Sequence, residues 1–248
     1  MNDLISIIIP YCQKKLYIER ALSSIYNQTY KKFEIIIIYD DTNLQELYFL
    51  KKIINKNYKI KIIVNKKKLG AGYSRNVGVE KSKGSIVAFL DADDFWHKNK
   101  LEIQLDFMNK KKSNFSFTAY NIVNIKNRVI RAIPAMKILS YNQLIRSCDI
   151  GLSTVMIRKH ILKKNKFTNM RTKEDYALWL NIAKENKLYG INKILTTWQK
   201  SPNSLSSGTL QKIKDSYLLY NRYVKYGVLK SIIATLILGI YFIKKRYL

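Results

Sequence analysis

The chain has 248 residues, a formal net charge of +28 at pH 7 and 47% hydrophobic side chains. Its length suits one large domain or a domain with a small extension. Its two cysteines, Cys12 and Cys148, lie far apart in sequence, which argues against a disulfide scaffold and fits a reducing compartment. The charge favours anionic partners, but it is mostly lysine spread along the chain, and no helix-turn-helix, zinc-finger or RNA-recognition signature accompanies it. We therefore expect no specific nucleic-acid partner.

The first half of the chain alternates strand-like and helix-like segments. Apolar runs predict strands at Leu4–Ile9, Phe33–Tyr39, Tyr58–Val64 and Ile86–Leu90. Helical spacing of apolar residues predicts helices at Leu16–Gln28, Leu44–Ile54 and Gly72–Ser82. This alternation implies an α/β fold with a mainly parallel sheet covered on both faces, whose post-strand loops gather at one edge.

The second half of the chain is less regular. Its pattern predicts helices at Trp96–Met108, Asn142–Ser147 and Lys173–Glu185. It also predicts a hairpin from Phe115–Val123 and Arg128–Ile133, a strand at Leu152–Arg158 and a polar loop at Ser201–Gly208.

The C-terminal segment Val228–Ile243 is nearly all apolar and is followed by Lys244-Lys245-Arg246. It falls short of the roughly 20 apolar residues that span a bilayer. We therefore expect a helix lying in the membrane interface, with its basic residues facing anionic headgroups. The alternatives are a core helix, a dimer contact or a short spanning helix.

Three carboxylates follow the fourth predicted strand, at Asp91, Asp93 and Asp94. Residues two apart on an extended chain point to the same side, so Asp91 and Asp93 can converge at the strand end. Converging carboxylates there suit a divalent cation that carries a phosphate-bearing ligand. The alternative is an acidic loop in which Asp93 or Asp94 caps a helix starting near Phe95.

Two further groups of residues stand at neighbouring strand ends. Gly70 and Gly72 allow close backbone approach before a helix, and Arg75 can reach a diphosphate or hold the acidic loop. A carboxylate at Asp40 or Asp41 can accept hydrogen bonds from a ribose or a base, or it can form a turn or a helix cap.

The ordered motifs resemble family 2 glycosyltransferases with the GT-A fold, of the bacterial surface-glycan type, over roughly residues 3–210. The resemblance rests on Ser6–Tyr11, Glu19–Tyr30, Phe33–Asp41, Ser74–Gly78 and Phe89–Asp94. The last of these segments looks like the family's DXD block. The resemblance implies a nucleotide-sugar donor, with a UDP-sugar favoured, and Mn²⁺ or Mg²⁺ as the cofactor.

The same resemblance carries roles onto individual residues. Asp93 and Asp91 match the metal-binding DXD positions, and Asp91 also belongs to the donor site. Either Asp40 or Asp41 matches the carboxylate that meets the nucleoside, and the resemblance leaves both open. The first strand end, Pro10 and Tyr11, would line the nucleoside pocket, and Arg75 would lie near the phosphates.

Thr172–Leu180 resembles the family's ED block and carries the catalytic-base role onto Asp175. An inverting transfer needs such a carboxylate to take the proton of the acceptor hydroxyl. The alternative is that Glu174 and Asp175 only favour a helix N-terminus. Gln199 and Ser201 stand where the family often carries an arginine and a histidine, so we expect no third metal ligand there.

These expectations define a metal-dependent, inverting transferase acting on a growing surface glycan or a lipid-linked glycan. Residues 1–210 would form the GT-A domain, with a nucleotide-sugar half at about 1–95 and an acceptor half at about 96–210. Residues 211–248 would form a tail that attaches the protein to the inner face of the cytoplasmic membrane. The competing hypothesis is an inactive, membrane-associated accessory protein with the same fold.

Overall fold

The computed structural model describes residues 3–54, 58–200 and 209–247. In this part the chain forms one large sheet. Its strands are β1 Ile5–Tyr11, β2 Phe33–Tyr39, β3 Ile60–Val64, β4 Ile86–Phe89, β5 Phe95–Trp96, β6 Phe115–Val123, β7 Val129–Ile133, β8 Ile138–Leu139, β9 Met156–Arg158 and β10 Leu188–Gln199.

Helices cover this sheet and extend the chain at its C-terminus. They are α1 Lys15–Tyr26, α2 Leu44–Ile53, α3 Ala71–Lys81, α4 Lys100–Lys110, α5 Tyr141–Leu144, α6 Lys159–Lys164, α7 Glu174–Ala183, α8 Thr209–Leu218 and α9 Val228–Tyr247. A five-residue π-helical segment, Leu219–Tyr223, follows α8.

The sheet has the strand order β3-β2-β1-β4-β9-β6-β10-β5, with β7 added to β6 and β8 added to β10. β1 pairs in parallel with both β2 and β4, so Ile7 lies between Ile35 and Ala88. These strands are buried on both faces, which explains their nearly continuous apolar sequences. The predicted α/β class and mainly parallel sheet are confirmed.

Several strands of the sheet run in the same direction, so their carboxyl ends lie along one edge. β9 runs antiparallel to both β4 and β6, so β4 and β6 point the same way. β6 then pairs in parallel with β10, with register shifts between Ile191 and Thr196. The segments after β1, β2, β4 and β10 therefore lie on the same side of the sheet.

The predicted helix at Trp96–Met108 is wrong in its first turn. Phe95 and Trp96 form β5 and pair with β10, and the indole N–H of Trp96 donates to the Ser153 carbonyl at 2.7 Å. These tertiary contacts hold Trp96 in an extended conformation, so α4 begins only at Lys100.

The predicted strand at Leu152–Arg158 is only half formed. Leu152–Thr154 make a 3₁₀ turn, closed by a 3.0 Å bond from the Thr154 N–H to the Gly151 carbonyl. The long strand β10 was not predicted, because the exposed Asn192 and Lys193 interrupt its apolar pattern. The hairpin is confirmed, and Asn127 takes φ +57° in its turn. The predicted loop Ser201–Gly208 lies outside the described residues.

The C-terminal helices differ in how much of their surface is packed. α8 docks onto the sheet domain: Asp215 accepts hydrogen bonds from the Thr172 hydroxyl at 2.6 Å and from its N–H at 3.1 Å. The Tyr220 hydroxyl donates to the Ile145 carbonyl at 2.7 Å. α9 buries Ser231 but exposes most of its apolar side chains. Within the described residues, no helix is long and apolar enough to cross a membrane.

Candidate active site

The acidic loop, residues 91–94, begins where the buried strand β4 ends. Its turn is closed by the Asp94 N–H, which donates to the Asp91 carbonyl at 3.0 Å. Asp94 is buried and accepts hydrogen bonds from the Ser153 hydroxyl at 2.5 Å and the Gln199 N–H at 2.9 Å. Burial, together with the charges of Asp93 and Asp91, raises the pKa of Asp94 well above its ordinary value. Asp94 therefore fixes the loop, and no helix begins beside it for it to cap.

The other two carboxylates of the loop each contact one basic side chain. Asp91 Oδ1 lies 2.8 Å from an Arg75 Nη atom, and its side chain is 32% exposed. Asp93 Oδ2 lies 2.6 Å from Lys14 Nζ, and its side chain is 15% exposed. Both carboxylates thus remain partly open to solvent while neighbouring cations balance their charge.

Arg75 joins the acidic loop to α7. Its second terminal nitrogen lies 2.5 Å from Glu174 Oε1, while its guanidinium carbon lies 5.4 Å from the centre of the Phe167 ring. The side chain is buried, and both terminal nitrogens contact carboxylates. Of its two predicted roles, holding the acidic loop is the one that this geometry displays.

The close approach of α3 to α7 depends on Gly72. A Cβ atom at this position would lie 2.5 Å from the Thr168 carbonyl oxygen and 3.1 Å from Glu174 Cγ. Any larger residue would force the Thr168 backbone and the Glu174 side chain to shift. The glycine at this position is therefore a packing requirement, as well as a feature of the loop motif.

Asp175 lies in the first turn of α7, next to this bridge. Its Oδ1 atom accepts a 2.7 Å hydrogen bond from the Tyr176 N–H. Burial, reinforced by the neighbouring charge of Glu174, raises the pKa of Asp175 to about 7. A carboxylate with that pKa is matched to proton transfer near neutral pH.

At the end of β2, Asp40 is fully engaged by the protein. Its carboxylate accepts hydrogen bonds from the Asn65 side chain at 2.8 Å, the Leu69 N–H at 2.8 Å and the Gly70 N–H at 2.7 Å. Gly70 has φ +90°, a conformation that suits glycine. The amide groups of Leu69 and Gly70, just before α3, thus hold Asp40.

The neighbouring Asp41 has looser contacts. Its Oδ1 atom accepts from the Thr42 N–H at 2.7 Å, and the Cys12 thiol lies 3.7 Å from Oδ2. It does not cap α2, because Asn43 accepts the N–H groups that open that helix.

The two residues at the end of β1 differ in accessibility. Pro10 is partly exposed, whereas the Tyr11 side chain is buried and stacks on Tyr39 with 5.7 Å between ring centres. The Tyr11 hydroxyl donates to Glu46. Tyr11 is thus a rigid part of the wall beneath the site.

A divalent ion fits the acidic loop only with help from a second ligand. The described part of the chain has no group of three or more His, Cys, Asp or Glu residues arranged to hold a metal. Two carboxylates at Asp91 and Asp93 match the way Mg²⁺ is bound in many phosphate-handling sites, by one or two carboxylates, substrate phosphates and water. The donor set therefore fits an ion that arrives with a phosphorylated ligand.

Sequence reasoning missed several residues that shape this site. Lys14 and Ser153 contact the acidic loop directly, and neither belongs to a motif. Arg20 Nη2 donates to Gln199 Oε1 at 2.8 Å and to the Asp93 carbonyl at 3.2 Å. Arg20 lies in the family-like segment Glu19–Tyr30, and Gln199 stood out as a departure from the family pattern.

The family model described as Glycosyl transferase family 2 matches residues 6–170. The chain belongs to this family, and it is a glycosyltransferase. It is 32% identical over 228 residues to the Escherichia coli protein named UDP-Glc:alpha-D-GlcNAc-diphosphoundecaprenol beta-1,3-glucosyltransferase WfgD, covering 91% of this chain and 88% of the relative. It is 31% identical to TuaG of Bacillus subtilis (strain 168), a glycosyltransferase provisionally named for teichuronic acid biosynthesis, covering 93% and 92% of the two chains.

Solved structures share the fold at low sequence identity. The S. aureus TarS fragment 1–349 with UDP-GlcNAc has a TM-score of 0.70 at 18% identity, covering 92% of this chain and 69% of that one. The Pyrobaculum calidifontis mannosyltransferase PcManGT with GDP-Man and Mn²⁺ has a TM-score of 0.72 at 12% identity, covering 96% and 70%. The fold is therefore GT-A, as the motifs indicated.

Proposed function

We propose that this protein is a metal-dependent, inverting glycosyltransferase that uses a UDP-sugar to extend a lipid-linked surface glycan. The observation that carries the proposal is the bridge from Asp91 through Arg75 to Glu174, which holds the acidic loop against the helix bearing Asp175. The names of the relatives in E. coli and B. subtilis support a surface-glycan acceptor. UDP-Glc and a GlcNAc-diphosphate lipid are the first donor and acceptor to test.

The chain's own groups supply the acid–base chemistry of this proposal. Asp175, with its pKa raised to about 7, takes the proton from the acceptor hydroxyl as that oxygen attacks the anomeric carbon. The bond from the anomeric carbon to the nucleoside diphosphate breaks on the opposite side. A divalent ion held by Asp91 and Asp93 would neutralise charge on the leaving diphosphate. Asp41, rather than the fully engaged Asp40, would meet the nucleoside, beside Pro10 and Tyr11.

The decisive assay measures UDP release and glycolipid formation by the full chain in detergent. UDP-Glc, UDP-GlcNAc, UDP-Gal and GDP-Man are compared with Mn²⁺, Mg²⁺ or EDTA and a short-chain GlcNAc-diphosphate lipid. Asp175→Asn should abolish transfer and retain UDP binding, whereas Asp93→Asn should lose both transfer and metal dependence. A β-linked product from an α-linked donor would establish inversion. Full transfer by Asp175→Asn would refute the role of that residue as base.

We also propose that residues 1–210 carry the transfer and that residues 211–248 attach the protein to the cytoplasmic face of the membrane. The support is the exposed apolar surface of α9, together with the basic sequence Lys244-Lys245-Arg246 in its last turn. The side chains that form this surface include Leu229, Ile233, Leu236, Ile240 and Phe242.

Flotation with liposomes tests this attachment. Ile233→Asp with Leu236→Asp should reduce binding to anionic vesicles by at least about tenfold, since each change removes an inserted apolar side chain. Leu44→Asp is the matched control, because Leu44 is also an exposed leucine but lies on α2. Equal binding by all variants would exclude α9 as the membrane contact. A dimer that dissociates on the α9 changes would identify the surface as a subunit contact instead.

A further inference from the structure

Lys14 places a protein cation at the acidic loop. It lies in the connection between β1 and α1, just after Gln13, whose φ of +51° turns the chain. From this position its ammonium group lies 2.6 Å from Asp93 Oδ2. The Lys14 side chain is 23% exposed and that of Asp93 is 15% exposed, so the ion pair is partly shielded from solvent.

The second carboxylate of the loop has a different kind of partner. Arg75 is buried and held by two carboxylates, so it cannot leave Asp91 without breaking the bridge to α7. Lys14, in contrast, has a flexible aliphatic stem and a single carboxylate partner among the described residues. The Lys14–Asp93 ion pair can therefore open more readily than the Arg75–Asp91 ion pair.

We propose that Lys14 is a displaceable counter-ion that competes with the divalent metal for Asp93 and thereby sets the metal affinity of the site. The proposal rests on the proposed function, because it assumes a metal at this loop. An ammonium group and a divalent ion cannot both sit close to the same carboxylate without strong repulsion. Metal binding must therefore release Lys14 from Asp93, and removing the lysine must favour metal binding.

Metal binding without turnover tests this role. Free Mn²⁺ is followed by electron paramagnetic resonance during titration of the full chain, first with Mn²⁺ alone and then with UDP present. Lys14→Met should raise the Mn²⁺ affinity about tenfold, because it removes an ammonium group that repels the metal. The free energy behind a tenfold change is a small part of the Coulomb repulsion between two cations about 4 Å apart. The rise in melting temperature caused by Mn²⁺ should also be larger for Lys14→Met than for the wild type.

Lys15→Met is the matched control, because it removes the same charge from the next residue. Lys15 is exposed, and its ammonium lies 4.8 Å from the centre of the Phe49 ring. Its change should leave the Mn²⁺ affinity within about twofold of the wild type, because exposed charges are screened. An equal gain in both lysine variants would reduce the effect to net charge and overturn the proposal.

The remaining outcomes separate this proposal from the one on which it rests. If wild type and Lys14→Met bind Mn²⁺ equally while Asp93→Asn does not bind it, the metal site stands and the role of Lys14 is refuted. Weaker binding by Lys14→Met would also refute competition, since it would make the lysine a supporting group. If no variant binds Mn²⁺ with or without UDP, metal dependence itself fails.

Discussion

Replacing Arg75 by methionine tests the bridge between the acidic loop and α7. The change keeps an unbranched side chain of similar length but leaves Asp91 and Glu174 without their cation. Breaking a buried ion pair in this way costs about 3–5 kcal/mol. The Asp91 side chain is 32% exposed and can regain water, so we take the lower end, about 3 kcal/mol. For a domain of this size that loss lowers the melting temperature by about 6–12 °C.

Thermal unfolding followed by circular dichroism measures this loss. Arg158→Met is the control with weaker contacts: Arg158 lies 4.0 Å from Asp3, with both side chains about one-quarter exposed, and it donates to the Asn109 side chain at 2.7 Å. A surface pair contributes about 0–1 kcal/mol and a hydrogen bond about 1 kcal/mol, so this variant should lose less stability than Arg75→Met. Arg75→Lys should fall between the two, since one ammonium group cannot replace two guanidinium contacts in fixed geometry.

The opposite result would be informative. If Arg75→Met melts like Arg158→Met, the buried bridge contributes little to stability, and its cost of desolvation matches its gain. If stability falls as expected but transfer in folded protein at low temperature is unchanged, the bridge stabilises the domain without positioning Asp175. Only a loss of both stability and transfer supports the conclusion that the bridge positions Asp175 relative to the acidic loop.

Three further predictions address other groups. Transfer should fall about tenfold per pH unit below pH 7, because Asp175 must be ionised and its pKa is raised to about 7. Glu174→Gln removes a neighbouring negative charge, so it should move the inflection of the pH profile to lower pH. A move to higher pH would contradict the assigned effect of Glu174 on the pKa of Asp175. Ser153→Ala should lower the free energy of unfolding, measured with denaturant, by about 2 kcal/mol, since it removes a donor to Asp94 and an acceptor for the Asp91 N–H. An unchanged unfolding midpoint would show that Ser153 does not stabilise the acidic loop. Burial lowers the pKa of Lys100 to about 7, so the folded state binds fewer protons than the unfolded state between pH 7 and 10. The free energy of unfolding of the wild type should therefore rise with pH relative to that of Lys100→Met. If the difference in stability between the two proteins stays constant over this pH range, the lowered pKa is contradicted.

The sequence was most informative where chemistry and strand geometry coincide. Asp91 and Asp93 follow a buried strand at alternate positions, so their place at the sheet edge could be read directly. The position of Asp175 at the start of α7 was equally readable. Those assignments depend on local periodicity and on ordered motifs, both of which lie within short stretches of the chain.

The partners of these carboxylates could not be read in the same way. Lys14 lies 79 residues from Asp93 in sequence, and Glu174 lies 99 residues from Arg75. Nothing in a lysine-rich chain singles out one lysine for an ion pair. Trp96 was misassigned for a similar reason, because its extended conformation depends on pairing with β10 and on the distant Ser153 carbonyl.

The balance of charge at the acidic loop gives a physical reason to expect coupling between donor and metal. Beside the buried Asp94, whose pKa is raised, the bonded cluster sets three carboxyl groups against three basic side chains; its members are Asp91, Asp93 and Glu174 against Lys14, Arg20 and Arg75. A nucleoside diphosphate brings further negative charge to this edge, and repulsion would oppose its binding. Because Arg75 is held by two carboxylates and Arg20 contacts backbone and amide oxygens, neither is free to neutralise the diphosphate. Under the proposed function, a divalent ion at Asp91 and Asp93 would offset this charge, and under the proposed competition it would free the Lys14 ammonium group from Asp93.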